Sequence, residues 1–281
     1  MEEKAMVDIE RLKRKEMSAW FEDFKAQIAQ KEDIVFVDDG KAYKAVDYLN
    51  LDGFYPGYYS AKRRVLFIGR ESREASGCNR METDIEFLRN NNINKVGFAF
   101  WQRVFYIVYG IQHEGKVPFM VIPDANEIKE ACVKANSFPF AIINLSKYSN
   151  DSKIWKADYV LMNRFLEDAE LGRRNFLREQ ISILAPDIII SCNLWGDARI
   201  DLDKLDLIFP PDDFSKRIPK LSTEGISDVY DFSFEGKNIR FIDLHHFSAI
   251  RVGKLMGYDL DKTYYYDPVM KAVFGNQEAV E

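Results

Sequence analysis

The stretch VLFIGRES, residues 65–72, decides the fold class. Four apolar residues, Val65 to Ile68, lead to Gly69 and then to a polar segment, as at the end of a buried strand. Three further short runs have the same character, at residues 140–143, 188–190 and 239–242. They are mostly continuous rather than alternating, which is typical of strands covered on both faces of a sheet.

Segments with helical spacing separate these apolar runs. The pattern predicts helices over residues 98–112, 154–170 and 173–184, and an amphipathic N-terminal helix over residues 6–28. Alternation of strand and helix indicates an α/β fold. We expect a three-layer α/β/α sandwich with a central, mostly parallel sheet of about four strands and an N-terminal helical elaboration.

The chain is interpreted as one α/β domain over residues 1–281. Its predicted parts are a helix and loop elaboration over 1–60, a core over 61–256 and a C-terminal tail over 257–281, frayed after Gly275. The Tyr-rich stretch at 54–60 predicts a loop, and residues 200–236 predict an irregular excursion.

Composition narrows the classes of function. The chain has 281 residues, with 39 Lys and Arg against 45 Asp and Glu, so its net charge is −6. This balance argues against tight, sequence-independent binding of nucleic acid, but not against a local basic face. No apolar run reaches the ~18 residues of a membrane span, and the start lacks the apolar core of a signal peptide, so we expect a cytoplasmic protein without a membrane partner.

The cysteines favour no metal or cofactor. Cys78, Cys132 and Cys192 lie far apart without metal-like spacing, so they are interpreted as reduced packing thiols. We expect no cofactor, no metal and a monomer.

Polar residues follow each of the four predicted strands, and in parallel sheets such strand ends form sites. The segments are Gly69–Glu74, Asn144–Lys147, Ser191–Asn193 and Asp243–Ser248. Two of the three histidines, His245 and His246, lie at one strand end. Structural explanations exist for each: helix N-terminal charges, a turn asparagine, a solvated lysine and a structural histidine.

In order, these segments resemble the uracil-DNA glycosylase superfamily. VLFIGRES resembles its first motif, FAIINLSKY is similar to its base-reading strand, LAPDIIISCN to its third strand, and FIDLHHFSAIR to its second active-site motif. The resemblance covers about residues 60–256. Ser72 and Phe247 stand where the family has proline, and the four cysteines of its iron–sulfur branch are absent.

The resemblance implies a catalytic pair and a reader of the base. Glu71 matches the residue that positions the attacking water, His246 the residue that stabilises the departing base, and Asn144 the residue that reads the base edge. The implied function is hydrolysis of the N-glycosidic bond of uracil or another damaged base in DNA.

Further roles are carried over or expected at the same site. Phe98 or Phe100 matches the aromatic residue that stacks on the flipped base, and Ser248 matches a serine that touches a backbone phosphate. The cations expected to hold phosphates are Lys147, Arg251 and Arg73.

The chemistry is coherent without the family. Breaking an N-glycosidic bond makes a cation-like sugar and an anionic base, so a carboxylate is needed near the sugar and a donor near the base. Glu71 and His246 supply these two groups, provided that the first and fourth strands are neighbours.

Two alternatives stay open at this point. A GDSL-type ester hydrolase would use Ser72 as nucleophile, His246 as base and Asp243 as its orienting acid, with Asn193 as an oxyanion donor. The other alternative is a non-catalytic relative that binds nucleic acid.

Overall fold

A central six-stranded mixed sheet organises the computed structural model. The structure describes residues 2–31, 35–38, 41–151, 157–194, 199–210, 226–248, 254–255 and 258–275. Its helices are α1 (Glu2–Gln30), α2 (Arg80–Asn90), α3 (Ala99–Gln112), α4 (Ala125–Ala135), α5 (Tyr159–Ala169), α6 (Phe176–Leu184), α7 (Leu202–Ile208) and α8 (Asp267–Phe274).

The strands divide between the central sheet and three small hairpins. They are β1 (Val35–Asp38), β2 (Lys41–Lys44), β3 (Gly53–Phe54), β4 (Val65–Arg73), β5 (Phe140–Asn150), β6 (Glu170–Leu171), β7 (Arg174–Asn175), β8 (Ile188–Cys192), β9 (Ile226–Phe234), β10 (Lys237–Leu244), β11 (Lys254–Leu255) and β12 (Tyr258–Asp259).

The central sheet has the order β3-β5-β4-β8-β10-β9. The four inner strands are parallel, and they are the four that the apolar runs predict. The two edge strands, β3 and β9, run antiparallel to their neighbours, so the prediction of about four strands undercounts the sheet. The α/β class is confirmed.

Two apolar clusters cover the two faces of this sheet. Leu66 and Ile68 of β4 belong to one cluster with α1, α5 and α6, and Val65 and Phe67 belong to the other with α3. This division follows from the strand geometry, because successive side chains point to opposite faces. Each continuous apolar run therefore contributes side chains to both apolar clusters, one on each face of the sheet.

The predicted helices are present with shifted bounds. The N-terminal helix, predicted over residues 6–28, covers Glu2–Gln30 and buries Met17, Phe24 and Ile28, whereas its apolar residue Leu12 is 61% exposed. Helix α3 begins at Ala99, α5 at Tyr159 and α6 at Phe176.

The prediction of an irregular excursion at 200–236 is wrong where the structure describes it. Helix α7 and strand β9 lie in this range. Strand β9 carried a period-2 signal, since Tyr230, Phe232 and Phe234 alternate with polar residues and are buried. Residues 211–225 lie outside the described residues.

The segment assigned to a C-terminal tail contributes to the core. A π-helical turn, Lys262–Tyr266, leads into α8, and Tyr265, Tyr266 and Val269 are almost fully buried against α3 and the sheet. The prediction that residues after Gly275 fray concerns residues outside the described ones.

Candidate active site

The carboxyl edge of the inner strands holds most of the predicted site residues. Gly69 of β4 pairs with Asn144 of β5, and Glu71 pairs with Ser146. On the other side of β4, Ile68 pairs with Ser191 of β8, which pairs with Asp243 of β10. Strand β8 thus lies between the first and fourth predicted strands, so these two are not neighbours. Since strands lie about 4.8 Å apart, β4 and β10 are about 10 Å apart.

Asn144 presents a side-chain amide at this edge of the sheet. It is 7% exposed, and within the described residues its side-chain amide makes no hydrogen bond. By alternation it follows Phe140 and Ile142 on the face of the sheet that α3 covers. The amide keeps some contact with solvent, because neither of its polar atoms is both fully buried and without a partner. This amide is therefore suited to receive a ligand.

Gly69 leaves the space that the Asn144 amide occupies. A Cβ on Gly69 would lie 2.5 Å from Asn144 Oδ1, which is closer than a real contact allows. Any side chain at this position would therefore force the Asn144 amide to move.

The buried ion pair of Lys147 and Asp52 holds the backbone of Asn144. Asp52 Oδ2 accepts the Asn144 N–H at 2.7 Å, and Lys147 Nζ donates to the Asn144 carbonyl at 2.6 Å. Lys147 Nζ and Asp52 Oδ1 are 2.8 Å apart, and Gln180 Nε2 also donates to Asp52 Oδ1. Lys147 has no exposed surface, so it does not face solvent as a phosphate contact would. The structure places it as a support for Asn144 instead.

Glu71 lies on strand β4, which continues to Arg73, past Gly69, where the sequence analysis placed the end of the strand. Its Oε1 accepts from Asn150 Nδ2 at 2.8 Å and from the Asp158 backbone N–H at 3.0 Å. Burial raises the pKa of Glu71, and these two hydrogen bonds oppose the rise. Asp158 caps α5 by accepting from Leu161 N, so Glu71 is fixed against the start of that helix.

His246 is half-buried and has a defined proton arrangement. The Ser248 backbone N–H donates to Nδ1 at 3.2 Å, so Nδ1 is the acceptor and the neutral ring carries its proton on Nε2. Burial, with the nearby cations Arg70 and Arg103, lowers the pKa of His246 to about 4. The imidazole is therefore neutral near pH 7 and can donate through Nε2–H.

The residues predicted to contact phosphates differ in their exposure. Ser248 is exposed next to His246, and Arg73 is half-buried at the end of β4, close enough to Glu71 to act on its carboxyl. Arg251 lies outside the described residues.

Arg70 is a site residue that the sequence analysis did not single out. It donates to the Tyr159 hydroxyl at 2.7 Å and to the Asn193 carbonyl at 3.0 Å, which joins β4 to α5 and to the end of β8. The sequence signal that could have identified it is its position between Gly69 and Glu71, at the end of the first apolar run.

The two predicted aromatic residues pack against different neighbours. Phe100 packs against Phe247, with ring centroids 5.5 Å apart, so it adjoins the histidine segment. Phe98 packs against Phe87 at 5.1 Å. Both are half-buried. Phe247, which replaces the family's proline, is fully buried in the α3 cluster.

The Ser-His-Asp arrangement of the ester hydrolase is not assembled. Ser72 Oγ is buried and has no hydrogen-bond partner. Asp243 accepts from Ser191 Oγ and from Leu194 N, while Nδ1 of His246 is already an acceptor and cannot donate to a carboxylate. Cys192 is a buried thiol whose pKa burial raises to about 12, as for a packing residue.

Neither a protein-family model nor a curated protein matches this chain. Among the described residues, no group of three or more His, Cys, Asp and Glu side chains could hold a metal ion. In the same part of the chain, no helix has both the length and the apolarity of a membrane span.

Substitution of Gly69 by alanine should displace the Asn144 amide. The added Cβ meets Oδ1, and such overpacking costs about 1–3 kcal/mol of the free energy of unfolding. Urea unfolding measures this cost, and NMR of the Asn144 side-chain amide reports the displacement. Gly97→Ala is the matched control, since a Cβ there meets nothing within 4 Å. Equal behaviour of the two variants would contradict the expectation.

Proposed function

We propose that this protein is a uracil-DNA-glycosylase-like hydrolase, which cleaves the N-glycosidic bond of uracil or another damaged base in DNA. The observation that carries the proposal is the side-chain amide of Asn144, a residue only 7% exposed, whose amide makes no hydrogen bond within the described residues and keeps some contact with solvent. An amide has a donor and an acceptor side by side, so it fits a base edge that has an acceptor next to an N–H.

Glu71 on β4 and His246 after β10 belong to strands that β8 separates, not to neighbours. These parallel strands still end at one edge of the sheet, which supports this use of the site. Asn144 on β5 and His246 after β10 lie on opposite sides of the Gly69–Glu71 segment of β4. A flat ring between them can meet a hydrogen-bonding group on each edge. Phe100 lies on the same face of the sheet and offers an aromatic surface beside the ring.

The proposed reaction uses two groups of opposite character. Glu71 accepts a proton from a water molecule while the oxygen of that water attacks the anomeric carbon of the sugar. The electron pair of the broken C–N bond moves to the base, whose oxygen accepts a hydrogen bond from His246 Nε2–H. A neutral imidazole suits this role, because it donates without taking up a proton near pH 7.

Binding to DNA would rely on local groups, since the net charge is −6. Ser248 is exposed beside His246, and Arg73 lies at the end of β4. Flipping the base out of a duplex costs a few kcal/mol, so a single-stranded substrate is the easier one.

The test is release of uracil from labelled oligonucleotides, single-stranded and duplex, scored by alkaline cleavage at abasic sites. Asn144→Ala should lower kcat/KM by about 10–100-fold, the value of one bidentate base contact. His246→Ala should lower kcat by about 10²–10³-fold, the cost of one positioned donor.

His245→Ala is the matched control for His246→Ala, because His245 is the exposed neighbour. It should leave the rate unchanged. The proposal fails if folded wild-type protein releases neither uracil nor any of a panel of damaged bases. Hydrolysis of simple esters that Ser72→Ala abolishes would instead favour the ester hydrolase.

A further inference from the structure

Two buried side chains hold the carbonyl groups of the histidine segment. The Tyr265 hydroxyl donates to the His246 carbonyl at 3.1 Å, and Arg103 Nη1 donates to the Phe247 carbonyl. Arg103 also pairs with Asp261, at 2.9 Å between Nε and Oδ1. Arg103 and Tyr265 are each 1% exposed, and Asp261 is 5% exposed.

These residues form one packed unit. The Arg103 guanidinium lies 3.9 Å from the centroid of the Tyr265 ring, and Tyr265 packs its ring against Phe247 at 5.5 Å. Arg103 is on α3, whereas Asp261 and Tyr265 belong to the C-terminal segment. Three separated parts of the chain therefore meet behind the histidine.

We infer that Arg103, Asp261 and Tyr265 are positioning residues, which fix the His246 imidazole with Nδ1 as acceptor and Nε2–H as the free donor. The inference deepens the proposed function and rests on it for the effect on base release, but its effect on the imidazole stands alone.

The peptide plane between Phe247 and Ser248 carries the argument. The Phe247 carbonyl and the Ser248 N–H belong to one planar trans peptide, so fixing the carbonyl also fixes the direction of the N–H. Arg103 holds that carbonyl, and the Ser248 N–H donates to His246 Nδ1. Tyr265 fixes the preceding carbonyl, so both peptide planes that follow the histidine are restrained.

Stability alone does not account for a buried arginine in this place. A buried ion pair can often be replaced by apolar residues without loss of stability. The Arg103–Asp261 pair does something that an apolar pair cannot, because it supplies donors to a carbonyl and a charge near the imidazole. Among the described residues, the charged groups that act on His246 are Arg70 of β4 and Arg103 of α3, and Asp261 faces it through Arg103.

Tyr265→Phe tests the unit with the smallest change. It removes one hydroxyl, and we expect NMR of the ring nitrogens to show His246 as a mixture of tautomers at pH 7, with kcat for base release lowered more than KM is raised. Tyr266→Phe is the matched control, since it removes the neighbouring hydroxyl, which donates to the Val117 carbonyl at 2.6 Å. It should lose similar stability and leave the His246 signals unchanged.

The double variant R103Q/D261N tests the effect of the Arg103 charge on His246. It neutralises both members of the ion pair, so neither is left as an unpaired buried charge. The apparent pKa of His246, followed by NMR titration, should rise by about 0.5–1 unit when the Arg103 cation is removed. An unchanged tautomer in Tyr265→Phe, or an unchanged titration in the folded double variant, overturns the inference. If both change but no base is released by the wild type, the proposed function fails and the positioning unit stands.

Discussion

Glu71→Gln will lower the rate of base release by about 10²–10⁴-fold, the contribution of a general base. The same variant will have an unchanged or higher free energy of unfolding. Burial raises the pKa of Glu71, which means that the fold disfavours its ionised form. A glutamine removes that cost, and its amide oxygen can still accept the Asp158 N–H that Glu71 accepts.

The pH profile gives this prediction a second measurement. A general base must be ionised, so the wild-type rate falls as the pH falls through the raised pKa of Glu71. His246 stays neutral down to about pH 4 and does not set this limb. The small residual rate of Glu71→Gln should therefore lack the wild-type limb above pH 4.

Glu74→Gln controls for charge in the same segment. Glu74 is exposed three residues further on, so its removal changes the net charge equally without touching the site. The rate should stay near that of the wild type. A Glu71→Gln variant that retains full activity would remove Glu71 from the mechanism and leave its contacts with Asn150 and Asp158 as structural.

Local signals in the sequence were enough to find the four inner strands of the sheet and two segments of the site, Asn144 and the histidine segment. A continuous apolar run such as residues 188–190 can be buried on both faces only in the middle of a sheet. The rule that parallel strands end at one edge then placed Asn144 and the histidine segment there.

The residues that hold the site in place gave no such signal. Asp52 lies 92 residues before Asn144, and Arg103 lies 158 residues before Asp261, so only folding brings each pair together. Lys147 was assigned to the surface because lysine is almost never fully buried without a partner. Its partner, Asp52, lies in a stretch without helical or strand periodicity.

Lys147→Met should lower the free energy of unfolding by about 3–5 kcal/mol, the cost of breaking a buried ion pair by removing one partner. The variant leaves the Asp52 carboxylate almost fully buried with Gln180 and the Asn144 N–H as its remaining donors. Neither carries a full positive charge. Chemical unfolding at pH 7 measures the loss.

Lys129→Met is the matched control, since Lys129 is also a buried lysine, with 1% of its side chain exposed. Its carboxylate partner, Glu130, has 58% of its side chain exposed, so water can solvate that charge once the lysine is gone. We expect a loss of about 1–2 kcal/mol, mainly from the hydrogen bond to the Asn91 carbonyl.

The double variant Asp52→Asn/Lys147→Met separates the cost of an unpaired buried charge from the role of the pair in positioning Asn144. With no buried charge left, it should recover part of the stability that Lys147→Met loses. It should still release base more slowly than the wild type, because the Asn144 carbonyl then lacks the hydrogen bond that Lys147 Nζ donates to it. Full recovery of both stability and rate would show that the ion pair supports neither Asn144 nor the strand end. Recovery of stability alone would assign the pair to the orientation of the amide that reads the base.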